Sequence, residues 1–279
     1  MSRTHHERPP LTLLYTPADR PDRVAKALAG DADVVLVDLE DAVAPARKEG
    51  ARAEAVRLLS RVDRPVQVRL NHPDTPWHTG DVAALAELPA HVGVRVPKVE
   101  TADQVSALAA RLPGRDLHLL IESALGVEHA FDLAEAAPTV ASIALGEADL
   151  RSDLRVSTDT GLTWARGRVV VAARAAALPP PVMSAYPHVR DLEGLASSCA
   201  AGRDLGFCGR TAIHPAQLPV IREAFLPSAG EVDRAREVVR KVTDAELAGV
   251  GAIALADGTF LDRAMLDQAR AVLALAATA

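Results

Sequence analysis

Acidic and basic side chains recur at the ends of the short apolar runs of this chain. DVVLVDLED carries Asp38, Glu40 and Asp41, VQVRLN carries Arg69 and Asn71, and VRVPKVE carries Lys98 and Glu100. LLIES then carries Glu122, and ALGEADL carries Glu147 and Asp149. A charge at the end of a strand meets water and costs little, so any one of these residues is unremarkable by itself. Their joint recurrence is specific, because a purely structural barrel has no need of charge there. Glu122 and Asp149 come from successive runs, so their carboxylates are expected to converge on one hard cation and leave its other positions to water and substrate. Magnesium suits two carboxylates better than calcium, which wants more oxygens, or zinc, which wants His or Cys. Glu147 is an alternative ligand, or a partner of one, if the run stays extended and points residues two apart to the same side. The planar fork of Arg69 suits a substrate carboxylate or a developing enolate, with a salt bridge to Asp38, Glu40 or Asp41 as the competing reading.

The elements that must place these groups alternate along the chain. Eight β-rich runs begin at Leu11, Asp33, Arg64, His91, Asp116, Val140, Pro180 and Phe207. Between them lie Ala-rich segments with apolar residues three or four apart, such as TADQVSALAARL from Thr101 and LTWARGRVVVAARAAAL from Leu162. Alternation of this kind predicts βα units around a parallel sheet, and eight strands close a (β/α)8 TIM barrel with its active site at the C-terminal strand ends. The expected organisation is a tail over 1–10, a barrel over 11–227 and a C-terminal helical extension over 228–279. The extension is expected to form a helix starting at Ser228 and stopping at Gly249, a short loop GAIALADGTFLD and a final helix. It is surplus to the barrel, and so a brace or a lid, on its own active site or on a neighbour's.

Composition narrows the partners. Aromatic residues make up only 3% against 49% hydrophobic, so Ala, Val and Leu must fill the core, which suits helix packed on strand. A formal charge of -6 and the lack of any Lys/Arg run argue against nucleic acid. No apolar run approaches the roughly 20 residues that cross a bilayer, and MSRTHHERPP lacks the apolar core of a signal peptide, so a cytoplasmic location is expected. Cys199 and Cys208 are expected to be structural, and His214, ahead of a proline, to be a structural hydrogen-bonding residue.

The chain resembles the citrate lyase beta subunit family, within the HpcH/HpaI aldolase group that includes malyl-CoA and citramalyl-CoA lyases. The likeness is carried by LYTPADRPDRVAKAL, VVLVDLEDAVAPARKEGAR, VQVRLN, VRVPKVE, LLIESALGV, ALGEADL, GRTAIHPAQL and DGTFLD, in the family's order. It implies Mg2+ on Glu122 and Asp149, with a substrate carboxylate or carbonyl held by Arg69. The implied reaction is cleavage of a 3-hydroxyacyl thioester into an acyl thioester and a 2-oxo acid, or the reverse condensation. It further implies that Asp262 of GTFLD serves as acid or base, in its own or an adjacent subunit of a homo-oligomer, most simply a trimer. For the nucleotide end of the thioester it points to the first βα loop, with Tyr15, Arg20, Arg23 and Lys26. The chain departs from the common pattern at ADR, where a glycine is usual, and at Arg210, where lysine is frequent. The alternatives are a beta subunit working on citryl-acyl-carrier protein, a thioester-independent oxo-acid aldolase, and a non-catalytic binding protein.

Overall fold

Eight parallel strands are present where the β-rich runs place them: β1 (Thr12–Pro17), β2 (Val34–Asp38), β3 (Val66–Arg69), β4 (Val92–Val96), β5 (Leu117–Ile121), β6 (Val140–Leu145), β7 (Val182–Met183) and β8 (Gly209–Ala212). The structure is a computed structural model and describes residues 9–247, 253–254, 260–261 and 263–277. The strand order is β6-β5-β4-β3-β2-β1-β8-β7, the sequence order of a (β/α)8 TIM barrel opened between β6 and β7. The seam falls where the PPVMSAYP run yields only the two-residue β7. Prolines at 179–181 supply no amide to a ladder, which shortens the strand.

Valine and leucine fill both faces of the central strands. β2 and β4 are buried along their whole length, as expected for strands covered by helices outside and side chains inside. The barrel interior holds Leu13, Val34, Leu36, Leu120, Ala144 and Val182. Helices follow nearly every strand. Ala102–Arg111 starts with a capping box in which the Thr101 hydroxyl accepts the Gln104 amide and the Gln104 side chain accepts the Thr101 amide.

The chain divides into two compact units, Met1–Arg222 and Glu223–Ala279. The second contains helices Ala229–Leu247 and Arg263–Ala276, which share a core of Ala235, Val238, Val242, Leu266 and Ala269. Ser228 caps the first of these helices through a reciprocal pair with Glu231. Between them, the segment read as a plain loop contains an antiparallel pair, Ile253–Ala254 with Phe260–Leu261. The expected stop at Gly249 lies outside the described residues. Among the described residues no helix is long and apolar enough to cross a membrane.

Candidate active site

Asp38 ends β2, pairs in register with Arg69 at the end of β3, and sets that arginine's direction. Arg69 donates from Nε to Asp38 Oδ1 at 2.8 Å and from Nη2 to Oδ2 at 2.6 Å, a bidentate ion pair. Its Nη1 lies 2.9 Å from Glu40 Oε2 and 3.7 Å from Asp41 Oδ2. Burial opposes the charge of Arg69, but Asp38 beside it holds the guanidinium pKa well above the usual value. The Tyr15 ring packs on the same guanidinium, 4.9 Å from ring centre to Cζ. Arg69 therefore both makes the predicted salt bridges and stands at the barrel mouth.

The loop after β2 is held by Lys48. Its Nζ donates to the Leu39 and Glu40 carbonyls at 2.8 and 2.6 Å and to Asn71 Oδ1 at 2.6 Å. Asn71 in turn donates to Asp81, which also accepts from Arg52. Asn71 is thus a strut between loops, and Glu40 and Asp41 follow the strand rather than end it. Glu40 Oε2 is buried and receives no hydrogen bond despite the nearby Arg69.

Glu122 follows β5 and is 4% exposed. Its Oε2 accepts the Lys98 amide at 2.8 Å. Lys98 reaches that position with φ 52, a left-handed conformation uncommon for a side-chain-bearing residue, and its Nζ donates to Glu40 Oε1 at 2.8 Å. Burial pushes the Glu122 carboxyl up to about 8, with the charges of Glu40 and Asp149 adding to the rise and Arg69 opposing it. Gly146 at the end of β6 provides its cradle. A Cβ added there would fall 2.6 Å from Glu122 Cδ, so the carboxylate lies directly against backbone.

Asp149 lines two cavities with Glu122. One, of about 410 Å³, is walled by Tyr15, Asp38, Arg69, Arg95 and Glu122 inside the mouth; the other, of about 400 Å³, includes His72, Lys98 and Glu100. Among the described residues no group of three His, Cys, Asp or Glu side chains is arranged to hold a metal. Of the carboxylates that line the mouth, Asp38 and Asp41 face Arg69, which leaves Glu122 and Asp149 as a pair, a set that leaves a hard cation most of its positions for other ligands.

Glu147 is corrected by the structure. Residues Glu147–Leu154 form a helix, not an extension of β6, so residues two apart point to different sides. Glu147 accepts a bidentate pair from Arg166, at 2.8 and 2.7 Å, and lines neither of the two cavities that Glu122 and Asp149 share.

A larger cavity of about 760 Å³ opens beside β1 and is lined by Tyr15, Arg23, Lys26, His214 and Arg222, among others. Tyr15 lies on β1 rather than in the first loop, and with Ile213 it borders both this cavity and the mouth. Arg23 and Lys26 are on the exposed side of helix Pro21–Leu28, and Arg20 does not line the cavity but pairs with Asp22 at 3.5 Å. His214 accepts the Ala216 amide and caps a short turn. Burial pushes the Cys208 thiol up to about 12 and raises Cys199 as well, so neither supplies a thiolate at neutral pH. Asp262 lies outside the described residues.

Sequence reasoning missed Arg95. It sits inside β4, 2% exposed, and lines the mouth cavity. The signal was available, since Gln67 and Arg69 on β3, and Gly93 and Arg95 on β4, alternate onto one face.

An eight-stranded parallel barrel whose mouth gathers carboxylates and guanidinium groups defines a β/α-barrel class suited to small anions beside a hard cation. Within it, the chain belongs to the HpcH/HpaI aldolase/citrate lyase family, whose model matches residues 11–215. It is 36% identical over 282 residues to a (3S)-malyl-CoA thioesterase of Cereibacter sphaeroides, covering 98% of this chain and 96% of that protein. It is 31% identical to citrate lyase subunit beta of Leuconostoc mesenteroides subsp. cremoris, covering 98% and 95%. The crystal structure of protein CitE from Mycobacterium tuberculosis, in complex with magnesium, acetoacetate and coenzyme A, superposes with a TM-score of 0.84 at 33% identity, covering 97% of this chain and 99% of that one.

Proposed function

We propose that this protein is a magnesium-dependent carbon-carbon lyase that cleaves, or forms, a 3-hydroxyacyl thioester, with an acyl thioester and a 2-oxo acid as the other side of the reaction. The observation that carries the reading is the pair Glu122 and Asp149 beside the Asp38-anchored Arg69 in one cavity. The residues fit the ion: Glu122 is cradled on Gly146 backbone, Asp149 lines the same two cavities as Glu122, and both are hard oxygen donors. Bound there, magnesium supplies Lewis-acid polarisation of the substrate hydroxyl and its neighbouring carboxylate.

The chain's own groups perform the rest. Arg69, fixed by Asp38, presents a permanent positive charge to the enolate that forms as the carbon-carbon bond breaks. Lys98 fixes the Glu122 carboxylate through its amide. The outer cavity, with Arg23 and Lys26 at its rim, takes the phosphate-bearing end of the thioester, and Tyr15 forms the wall past which the acyl end enters the mouth. Asp262 is the proton carrier in this reading, within a homotrimeric assembly.

Hydrolysis of the same kind of thioester is the second reading, favoured by the 36% identity to a protein named for that activity. Product analysis separates the two. The purified chain is given malyl-, citramalyl- and citryl-CoA with and without magnesium; a lyase releases a 2-oxo acid and keeps the thioester on the acyl fragment. Release of the intact hydroxy acid with free thiol would replace the lyase reading by hydrolysis.

A further inference from the structure

Arg95 is a buried cation without a counter-ion. Its Nε donates to Gln67 Oε1 at 3.0 Å, the only side-chain hydrogen bond it makes among the described residues, and no carboxylate of those residues lies within ion-pair distance. Its Cα is in register with that of Arg69 on the neighbouring strand, so the two guanidinium groups enter the barrel side by side. Arg69 is neutralised by Asp38 and Glu40, whereas Arg95 is not. Burial lowers the pKa of Arg95, and the charge of Arg69 lowers it further.

An unpaired buried charge is costly, and a protein keeps one where a ligand supplies the missing partner. Gln67 fixes Arg95 through Nε only, which leaves the two terminal nitrogens for an acceptor with two oxygens. The cavity lined by Arg95 also holds Glu122 and Asp149, yet the arginine belongs to β4 within the barrel and the carboxylates to the loop and helix beyond β5 and β6. The mouth therefore offers two separate places for anionic groups, a cation held by Glu122 and Asp149, and Arg95.

We propose that Arg95 receives a second carboxylate of the substrate. The favoured thioester then carries two free carboxylates on its acyl group, and the 2-oxo acid is a dicarboxylate. This rests on the lyase reading for the identity of the ligand but not for the existence of the anion receptor. A site built to pair with a carboxylate discriminates strongly against a ligand that lacks it, because the buried cation is then left unpaired.

The test is calorimetric and needs no turnover. The full chain, saturated with magnesium, is titrated with oxaloacetate and with pyruvate, which differ by one carboxylate. Wild type is expected to bind oxaloacetate about a hundredfold more tightly. Arg95→Met is expected to bring oxaloacetate down to the level of pyruvate and leave pyruvate unchanged, and Arg95→Lys to keep part of the preference. Equal affinity of wild type for both acids overturns the proposal, as does an equal loss of both in Arg95→Met, which would place the arginine on atoms common to the two ligands. If Arg95→Met does not fold, an Arg95→Lys protein with the wild-type preference undiminished overturns it. A calorimetric preference in a protein that releases no oxo acid from any thioester would refute the lyase reading and leave this site standing.

Discussion

The two halves of the barrel mouth treat charge differently. On the β2–β3 side, Asp38, Glu40, Asp41, Arg69 and Lys98 are tied to one another, with Lys48 and Asn71 bracing the loops behind them. On the β4–β6 side, Arg95, Glu122 and Asp149 have few protein partners, and burial, helped by the charges of Glu40 and Asp149, pushes the Glu122 carboxyl up to about 8. The first half is complete as folded and acts as a rigid frame. The second is electrostatically unfinished, which is the condition of a surface that a ligand completes.

Four changes probe this contrast, from the largest expected effect to the smallest. Asp149→Ala is expected to reduce kcat/KM for oxo-acid release by at least about a thousandfold, the scale of losing a charge-stabilising group at a reaction centre, while leaving the folded protein as stable as before. Full activity in that variant would remove Asp149 from the unfinished half. Asp38→Asn attacks the finished half. It leaves Arg69 buried with only part of its counter-charge and is expected to cost about 3 to 5 kcal/mol in urea unfolding; a loss below about 1 kcal/mol would show that the frame does not depend on this pair.

Next in size is the pH dependence of the metal-free protein. An unfolded glutamate titrates near 4.5 and folded Glu122 near 8, so between these values the folded state holds a proton that the unfolded state has lost. Stability then falls as pH rises through this window, by up to about 1.4 kcal/mol per pH unit, and Glu40, also raised by burial, acts in the same direction. Chemical unfolding with a chelator present should show this slope in wild type and a flatter one in Glu122→Gln. An unchanged slope in the variant would locate the effect elsewhere. Smallest is Gly146→Ala, whose Cβ would displace the Glu122 carboxylate; a tenfold to hundredfold loss of magnesium affinity, on the order of what disturbed ligand support costs, is expected with the barrel intact.

Much of this was legible in the sequence for definite reasons. Strands rich in Val, Leu and Ile and helices rich in Ala have different periods, so the eight strands appear in the predicted order. Arg69, Glu122 and Asp149 stand out because charge directly after an apolar run is conspicuous. Glu147 misled because the strand gives way to a helix at Gly146, and a change of period within two residues alters which side chains face together. Arg95 was hidden for the opposite reason to Glu122: it lies within the apolar run VGVRV, where a charge reads as an exception to the strand rather than as a member of its inward face. Tyr15 was placed in a loop because the first strand runs two residues beyond it.

Lys98 joins the two halves through one residue. Its side chain ends on Glu40 in the finished half, while its own amide ends on Glu122 in the unfinished one, and its left-handed backbone is what lets it face both. The frame and the ligand-facing carboxylate therefore form a single thermodynamic unit. Glu122 and Glu40 are coupled both through Lys98 and through the charge each places on the other, so the energies of changes at the two glutamates do not add.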